Sequence, residues 1–183
     1  MAVQSPVCDF GWKAVDFDLP GVDGKRHTLA SARGPAGALV MFICNHCPYV
    51  KAIRARIVRD CGELAAHGIG SIAIMSNDPA EYPEDSFENM RRVAAESGFT
   101  FPYVLDATQD VARAYAAVCT PEFFGFNAAL ELQYHGRLDA SKTSPVEGAT
   151  RELFDAMVRI ARTGRGPAEQ TAALGCSIKW KHS

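Results

Sequence analysis

The stretch FICNHCPYVK (residues 42–51) carries two cysteines, Cys44 and Cys47, separated by two residues. It overlaps the short apolar run ALVMFI (residues 38–43), which is typical of a strand buried on both faces. A helical pattern starts at Pro48, a residue that the first turn of a helix accommodates. We therefore expect the cysteines where a buried strand ends and a helix begins. Free N–H groups and the helix dipole favour a thiolate at such a position.

The composition indicates an ordinary globular protein. The 183 residues are 48% hydrophobic and 22% charged, and the 19 Lys and Arg nearly balance the 21 Asp and Glu. Such a balance provides no basic surface for nucleic acid or for an anionic membrane. The first residues lack the pattern of a secretory signal, and no apolar run is long enough to cross a bilayer. We expect a cytoplasmic protein with no nucleic-acid and no membrane partner.

The cysteines are too sparse for a disulfide-stapled scaffold, since the chain has only six of them: Cys8, Cys44, Cys47, Cys61, Cys119 and Cys176. In a reducing compartment, a close pair is more often catalytic or metal-binding than structural. Two interpretations of the pair therefore stay open at this point, a redox pair and a metal clamp.

Strand-like and helix-like segments alternate along the chain. Strands are expected at residues 38–43, 69–75 and 101–105, helices at 48–66, 83–97, 109–118 and 149–163, and a hairpin at 122–126 with 129–135. Helices between strands imply crossover connections and a partly parallel sheet, closed here by an antiparallel pair. We predict a single α/β domain over residues 1–183, with a mixed central sheet flanked by helices, an N-terminal extension and a C-terminal tail at 164–183.

The spacing of the two cysteines suits thiol-disulfide exchange. Once one helical turn forms, Cys47 is placed to resolve a mixed disulfide made at Cys44. His46 lies between them, and an imidazole beside a thiolate stabilises the reduced form. We therefore expect a depressed Cys44 pKa and a less reducing potential than that of a pair separated by neutral residues.

A second candidate feature is Thr120-Pro121, in AVCTPEFFGF (residues 117–126). An X-Pro bond at the start of a strand is a candidate cis peptide. In that conformation the Thr120 backbone would be free to pair with an extended client segment lying across Cys44. Such backbone pairing gives affinity with little preference for the sequence of the client.

Several motifs together resemble a known family: CNHCPYVKAI, SNDPAEYPEDS, FPYVLDATQDVARAY, CTPEFFGF, YHGRLDAS and GCSIKW. They are similar to the thioredoxin-like redoxins, in a branch beside the alkyl hydroperoxide reductase and thiol-specific antioxidant (AhpC/TSA) proteins. The resemblance implies a thioredoxin-like fold with Cys44 as attacking thiol, Cys47 as resolving thiol and Pro121 as the cis-proline. It implies a thiol-disulfide oxidoreductase acting on client proteins or small thiols, with thioredoxin or glutathione as candidate electron donors.

Departures from related motifs bear on the reaction. A peroxiredoxin has Thr or Ser three residues before its reactive cysteine, whereas here Met41 precedes Cys44 at that distance and Cys44 itself precedes Cys47. A thiol peroxidase of the AhpC/TSA type is therefore an alternative rather than the leading hypothesis. The strand before the cysteines also lacks the buried acid of thioredoxin, for which Asp78 is a candidate substitute.

A metal-binding or redox-sensing module is the other alternative. Its ligands would be Cys44 and Cys47 with His46 or His135, but a second well-spaced cysteine pair is missing. We therefore expect neither a resident metal nor a cofactor, and we expect His135 to be an exposed hairpin residue.

The remaining cysteines are assigned from their positions. Cys119 precedes Pro121 by two residues and Cys176 lies in the tail, so both are candidate accessory thiols, as a third-thiol relay or a tail-locking disulfide. Cys8 and Cys61 are expected to be inert small residues.

Overall fold

The computed structural model describes residues 1–182, which contain ten strands and five α-helices. The strands are β1 (Ala2–Gln4), β2 (Asp18–Pro20), β3 (Arg26–Thr28), β4 (Gly37–Phe42), β5 (Ile69–Met75), β6 (Tyr103–Leu105), β7 (Cys119–Thr120), β8 (Glu122–Asn127), β9 (Leu132–Gly136) and β10 (Leu174–Ser177). The helices are α1 (Leu29–Ala32), α2 (Pro48–Ala65), α3 (Phe87–Ser97), α4 (Asp110–Ala114) and α5 (Glu152–Thr163), and a short 3-10 helix spans Pro83–Asp85.

Five strands form a mixed central sheet in the order β6-β5-β4-β8-β9. Strand β6 is parallel to β5, while β8 is antiparallel to both β4 and β9. Strands β4 and β5 lie side by side, and just past the end of β4 the Ile43 N–H donates to the Ile74 carbonyl at 3.1 Å. A mixed sheet flanked by helices confirms the predicted α/β, thioredoxin-like fold class.

The two faces of the sheet bury separate apolar clusters. Leu39 and Met41 of β4 face the cluster that α2, α3 and α5 complete. Val40 and Phe42 face the opposite cluster, to which α1 and α4 contribute. All four side chains are fully buried, as the continuous apolar run predicts for a strand covered on both sides.

The helix that follows β5 begins later than its sequence pattern predicts. The expected helix at 83–97 is divided into the 3-10 helix and α3, because the side chain of Ser86 accepts the N–H of Asn89 and caps α3. Asp85 therefore lies outside the α-helix. Its carboxylate is free to make contacts elsewhere.

A second, smaller sheet joins the two ends of the described chain. Strand β10 pairs antiparallel with both β1 and β7. The predicted tail at 164–183 thus contains a strand that was not predicted from the sequence, since a segment of four residues is too short to show a periodic pattern. Strands β2 and β3 form a separate antiparallel hairpin. Within residues 1–182, none of the helices has the length and apolar character of a membrane-spanning segment.

Candidate active site

The two cysteines of the motif lie at the junction between β4 and α2. Cys44 follows the end of β4 by two residues, and Cys47 is the N-cap of α2, with Pro48 as its first helical residue. Both carry free thiols and both are almost fully buried, with 2% of Cys44 and none of Cys47 exposed. Direct access of a large client to either sulfur is therefore restricted.

Thr120 contacts both sulfurs. The Thr120–Pro121 peptide is cis, as the sequence predicts. The Thr120 hydroxyl lies 3.4 Å from the Cys44 sulfur, and the Thr120 carbonyl lies 3.2 Å from the Cys47 sulfur, from which it accepts a hydrogen bond when that thiol is protonated. The sequence-predicted residues 44, 47, 120 and 121 are thus brought together.

The surroundings of the Cys47 sulfur stabilise a thiolate. A hydrogen bond from the Cys44 thiol, together with the Cys176 thiol and the N–H groups of Val50 and Cys176, lowers the pKa of Cys47 to about 5 against the opposing effect of burial. The Thr120 carbonyl favours the protonated form instead. Because several donors oppose this one acceptor, we assign the negative charge to Cys47.

The Cys44 thiol has the opposite shift, which corrects an expectation from the sequence. Its hydrogen bond to Cys47, its burial and the nearby negative charge of Asp85 raise the Cys44 pKa well above its usual value. The expected depression of the Cys44 pKa is therefore wrong. The helix N-terminus does stabilise a thiolate, but on the capping residue Cys47 rather than on Cys44.

His46 forms a pair with a buried carboxylate. Its Nδ1 lies 2.7 Å from Oδ2 of Asp85, which is completely buried, while the imidazole remains partly exposed and stacks on Tyr82 with 5.4 Å between ring centroids. When Nδ1 carries the ring proton and donates it to Asp85, Nε2 of the neutral imidazole has a free lone pair that can accept a proton. A ring nitrogen of this oriented imidazole lies within 4.8 Å of the Cys44 sulfur.

Asp85 organises the whole loop between the cysteines, and sequence reasoning missed it. One carboxylate oxygen accepts the N–H groups of Asn45 and His46 at 2.8 and 3.3 Å, and the other accepts the side-chain amide of Asn77 at 2.8 Å. Asp78, the acid proposed from the sequence, instead accepts the N–H of Ala80. The only signal in the sequence was the acidic pair Glu84-Asp85 before Ser86, and acidic residues at the start of a helix are usually explained by the helix dipole.

The cysteine loop contains one group of residues with the spacing of a metal site. Single ligand atoms of Cys44, His46 and Asp85 all lie within 4.8 Å of one another. Both Asp85 oxygens, however, already accept N–H groups, and His46 Nδ1 is engaged with one of them. The donor set therefore suits a hydrogen-bonded arrangement better than the coordination of an ion.

The backbone edge expected to receive a client is occupied by the protein itself. Cys176 of β10 lies directly opposite Thr120 in the antiparallel register. Gly175 packs so closely on this edge that an added Cβ would overlap the Thr120 carbonyl and lie 3.1 Å from the Pro121 nitrogen. A client strand thus has no free edge at Thr120 while β10 is in place.

The two accessory thiols differ in their surroundings. Cys176 is half-buried and packs against the apolar cluster that contains Cys44 and Cys47, and burial together with the neighbouring Cys47 raises its pKa to about 11. Cys119 is fully buried, and burial and the neighbouring Glu122 carboxylate raise its pKa. Side chains alternate along a strand, so Cys119 and Thr120 of β7 point to opposite faces.

His135 is not the exposed hairpin residue that the sequence suggests. It is 5% exposed, its Nε2 lies 2.7 Å from Oε1 of the fully buried Glu122, and its ring stacks on Phe124. The other Glu122 oxygen accepts the N–H groups of Val118 and Cys119. This pair holds the backbone just before Pro121.

The two cysteines outside the site behave as expected. Burial raises the pKa of Cys8 and of Cys61 to about 12 in each case. Such thiols are poor nucleophiles near neutral pH.

Comparison with known proteins gives both close and distant matches. The model of the AhpC/TSA family matches residues 10–141. An uncharacterized conserved protein from Geobacillus kaustophilus is 43% identical, with a TM-score of 0.93 over 100% of this chain and 98% of that one. A hypothetical protein from Sinorhizobium meliloti 1021 is 36% identical, with a TM-score of 0.91 over 98% and 99%.

More distant structures share the fold alone. A thiol:disulfide interchange protein of the thioredoxin family from Chlorobium tepidum is 19% identical, with a TM-score of 0.62 over 87% of this chain and 99% of that one. Among curated proteins, none matches the chain significantly. The comparisons confirm the predicted redoxin family.

Proposed function

This chain belongs to the AhpC/TSA family, and on that premise we propose that it is a thiol-disulfide oxidoreductase with a reversible Cys44–Cys47 disulfide. Membership of the family supports a redox function. The observation that supports the finer proposal is the position of the two free thiols, which both contact Thr120 beside the cis Thr120–Pro121 peptide. The six free cysteines favour a reducing compartment such as the cytoplasm as the site of this activity.

The first step is nucleophilic attack by Cys44. Loss of its proton to the neighbouring His46, held by Asp85, gives a Cys44 thiolate. This thiolate attacks one sulfur of a client disulfide, and the other client sulfur leaves as a thiolate that takes up a proton. The product is a mixed disulfide between Cys44 and the client.

The second step uses the charge on Cys47. Its thiolate attacks the Cys44 sulfur, forms the Cys44–Cys47 disulfide and releases the second client sulfur as a thiol. The client disulfide gains two electrons and the protein loses two. In the mixed disulfide Cys44 has no proton to donate, so the Cys176 thiol and the N–H groups of Val50 and Cys176 are the donors left to stabilise the Cys47 thiolate.

A redox titration tests this proposal. The full chain is equilibrated in glutathione buffers of graded ratio, quenched by alkylation and mapped by mass spectrometry. We expect one two-electron transition that joins Cys44 to Cys47, is lost in Cys44→Ser and Cys47→Ser and persists in the buried-thiol control Cys61→Ala. The proposal fails if the two cysteines stay alkylatable across the range, or if stoichiometric zinc or copper blocks them.

Thiol peroxidase activity is a second candidate, favoured by one contact. The Thr120 hydroxyl, 3.4 Å from the Cys44 sulfur, offers a donor that the sequence around Met41 lacks. Peroxide would convert Cys44 to a sulfenic acid with release of water or an alcohol, and Cys47 would then close the disulfide with release of water. Consumption of hydrogen peroxide by a reduced, catalytic amount of protein with a thiol reductant distinguishes this activity from disulfide exchange alone.

A further inference from the structure

The proposed oxidoreductase has an access problem that the structure itself defines. Cys44 and Cys47 are 2% and 0% exposed, and the Thr120 edge beside them is paired with β10. Thiol-disulfide exchange requires the attacking sulfur to reach its target in line with the disulfide. Another route for electrons between the buried pair and the surface is therefore needed while β10 stays docked.

Cys176 occupies the position that such a route requires. It packs against the apolar cluster that contains Cys44 and Cys47, and it lies opposite Thr120, whose carbonyl is 3.2 Å from the Cys47 sulfur. It is half-buried, in contrast to Cys44 and Cys47. Of the four thiols near Thr120, Cys176 is thus the one that both reaches the pair and meets solvent.

The position of Cys176 is held by backbone contacts on both sides of β10. Cys176 pairs with Ala2 of β1 on one side and with Thr120 of β7 on the other. After β10, the N–H of Lys179 donates to the side chain of Asn77 at 2.9 Å, and its carbonyl accepts the N–H of Asp78 at 2.9 Å. These contacts fix Cys176 against Cys47 rather than leaving it on a loose tail.

Building on the proposed function, we propose that Cys176 is a third redox thiol that exchanges with the Cys44–Cys47 disulfide. In the oxidised protein Cys47 is part of the disulfide, so its thiolate charge no longer helps to raise the Cys176 pKa. The Cys176 thiolate attacks the Cys47 sulfur, a Cys47–Cys176 bond forms and the Cys44–Cys47 bond breaks. Cys44 leaves as a thiolate and takes up a proton, so the exchange itself involves no net oxidation. An external thiol then attacks the half-exposed Cys176 sulfur and Cys47 leaves as a thiolate. A second external thiol attacks the resulting mixed disulfide, so that Cys176 is released as a thiol and the two external thiols leave as a disulfide.

Cys119 cannot serve as the third redox thiol in the same way, because its side chain lies on the opposite face of the small sheet from Cys176. Cys119 lies across from Ser177 in the register, on the other side of the strand from Thr120 and Cys176. It is completely buried, and the adjacent Glu122 carboxylate disfavours its thiolate. Cys119 is therefore a structural residue in this proposal.

The first experiment detects the alternative disulfide. Full-length Cys44→Ser is treated with oxidised glutathione, alkylated and mapped, and a bridge between the peptides of Cys47 and Cys176 is expected. The bridge should vanish in Cys44→Ser/Cys176→Ser and remain in Cys44→Ser/Cys8→Ser, because Cys8 is the other half-buried cysteine of the chain.

The second experiment needs no change at Cys44. Oxidised wild type and oxidised Cys176→Ser are reduced with glutathione, and the appearance of free Cys44 is followed by rapid alkylation. We expect reduction of Cys176→Ser to slow on the order of tenfold, because the rate of exchange depends on access to the sulfur. Cys8→Ser should match the wild type.

The outcomes separate this inference from the proposed function. An absent Cys47–Cys176 bridge, or an unchanged rate of reduction in Cys176→Ser, overturns the role of Cys176. In either case a reversible Cys44–Cys47 disulfide in the wild type leaves the oxidoreductase proposal standing. Failure of the wild type to form that disulfide overturns both.

Discussion

Nδ1 of His46 lies 2.7 Å from Oδ2 of Asp85, so one of the two residues between the cysteines is oriented by a carboxylate from the 3-10 helix before α3. Asp85 acts on Cys44 in two opposing ways. Its negative charge raises the Cys44 pKa, whereas its hydrogen bond holds the imidazole that removes the Cys44 proton in the proposed mechanism. The net effect on the rate depends on which influence is larger.

Asp85→Asn separates these influences. Removal of the charge should lower the Cys44 pKa, while loss of the oriented imidazole should lower the rate of attack by each Cys44 thiolate. Because the carboxylate accepts several buried N–H groups, unfolding free energy should fall by about 3 kcal/mol. Thiol alkylation against pH and urea unfolding measure the two effects. Asp155→Asn, at an exposed carboxylate of α5, is the control. A loss of stability in Asp85→Asn with no change in the Cys44 pKa would contradict the effect of the Asp85 charge on Cys44.

The Cys47 thiolate should make the reduced protein more stable as the pH rises from about 5 towards 9. Its folded pKa of about 5 is below the ordinary cysteine value of 9.0, so over this window the unfolded state binds the proton that the folded state has released. The contribution is fully present above the unfolded pKa and is lost as the pH falls through the folded one.

The unfolding free energies of reduced wild type and Cys47→Ser, compared across this pH range, test the linkage. Their difference should grow with pH, and the ultraviolet absorbance of the thiolate should titrate near the folded pKa in the wild type alone. A thiolate signal that survives in Cys47→Ser but not in Cys44→Ser would reverse the assignment of the charge.

Thr120→Val tests the hydroxyl that faces Cys44. Valine keeps the branched shape but removes the hydrogen bond that stabilises the Cys44 thiolate. We expect a higher Cys44 pKa and a roughly fivefold slower reaction with a small disulfide, since one hydrogen bond contributes about 1 kcal/mol. Stopped-flow kinetics measure the rate, with Thr100→Val as the exposed control. Equal rates for Thr120→Val and wild type would exclude a role for the hydroxyl.

Gly175→Ala tests the docking of β10 on the Thr120–Pro121 peptide. The added Cβ would overlap the Thr120 carbonyl, so β10 must move away from β7. Alkylation of Cys176 should accelerate and stability should fall. Gly62→Ala is the matched control, because Gly62 lies in α2 with open space around its Cβ position and should gain up to about 1 kcal/mol of stability. Unchanged alkylation of Cys176 in Gly175→Ala would show that β10 tolerates the clash in place.

The central sheet and its helices could be predicted because their signals are local. Residues 38–43 form a continuous apolar run, Pro48 marks the start of α2, and Gly164 ends α5 in the left-handed conformation. These features depend on neighbours within a few residues. The positions of Cys44 and Cys47 follow from the same signals.

The surroundings of the cysteines could not be predicted, because residues far away in the chain supply them. Asp85 meets His46 across 39 positions, and Cys176 meets Thr120 through strands of four and two residues, too short for a periodic pattern. The charge on Cys47 depends on these distant donors. Sequence reasoning therefore placed both cysteines correctly at the junction of β4 and α2, but it expected the lowered pKa on Cys44 rather than on Cys47.

The pairing of β10 with β1 and β7 also has a consequence for biosynthesis. Cys44 and Cys47 leave the ribosome well before residues 174–177 are made, whereas β1 and β7 wait for β10 as their shared partner. Until translation reaches that strand, the nascent chain presents its reactive thiols without the Cys176 donor and without the strand that covers Thr120. The surroundings of the two cysteines are therefore completed only after β10 has been synthesised and has paired with β1 and β7.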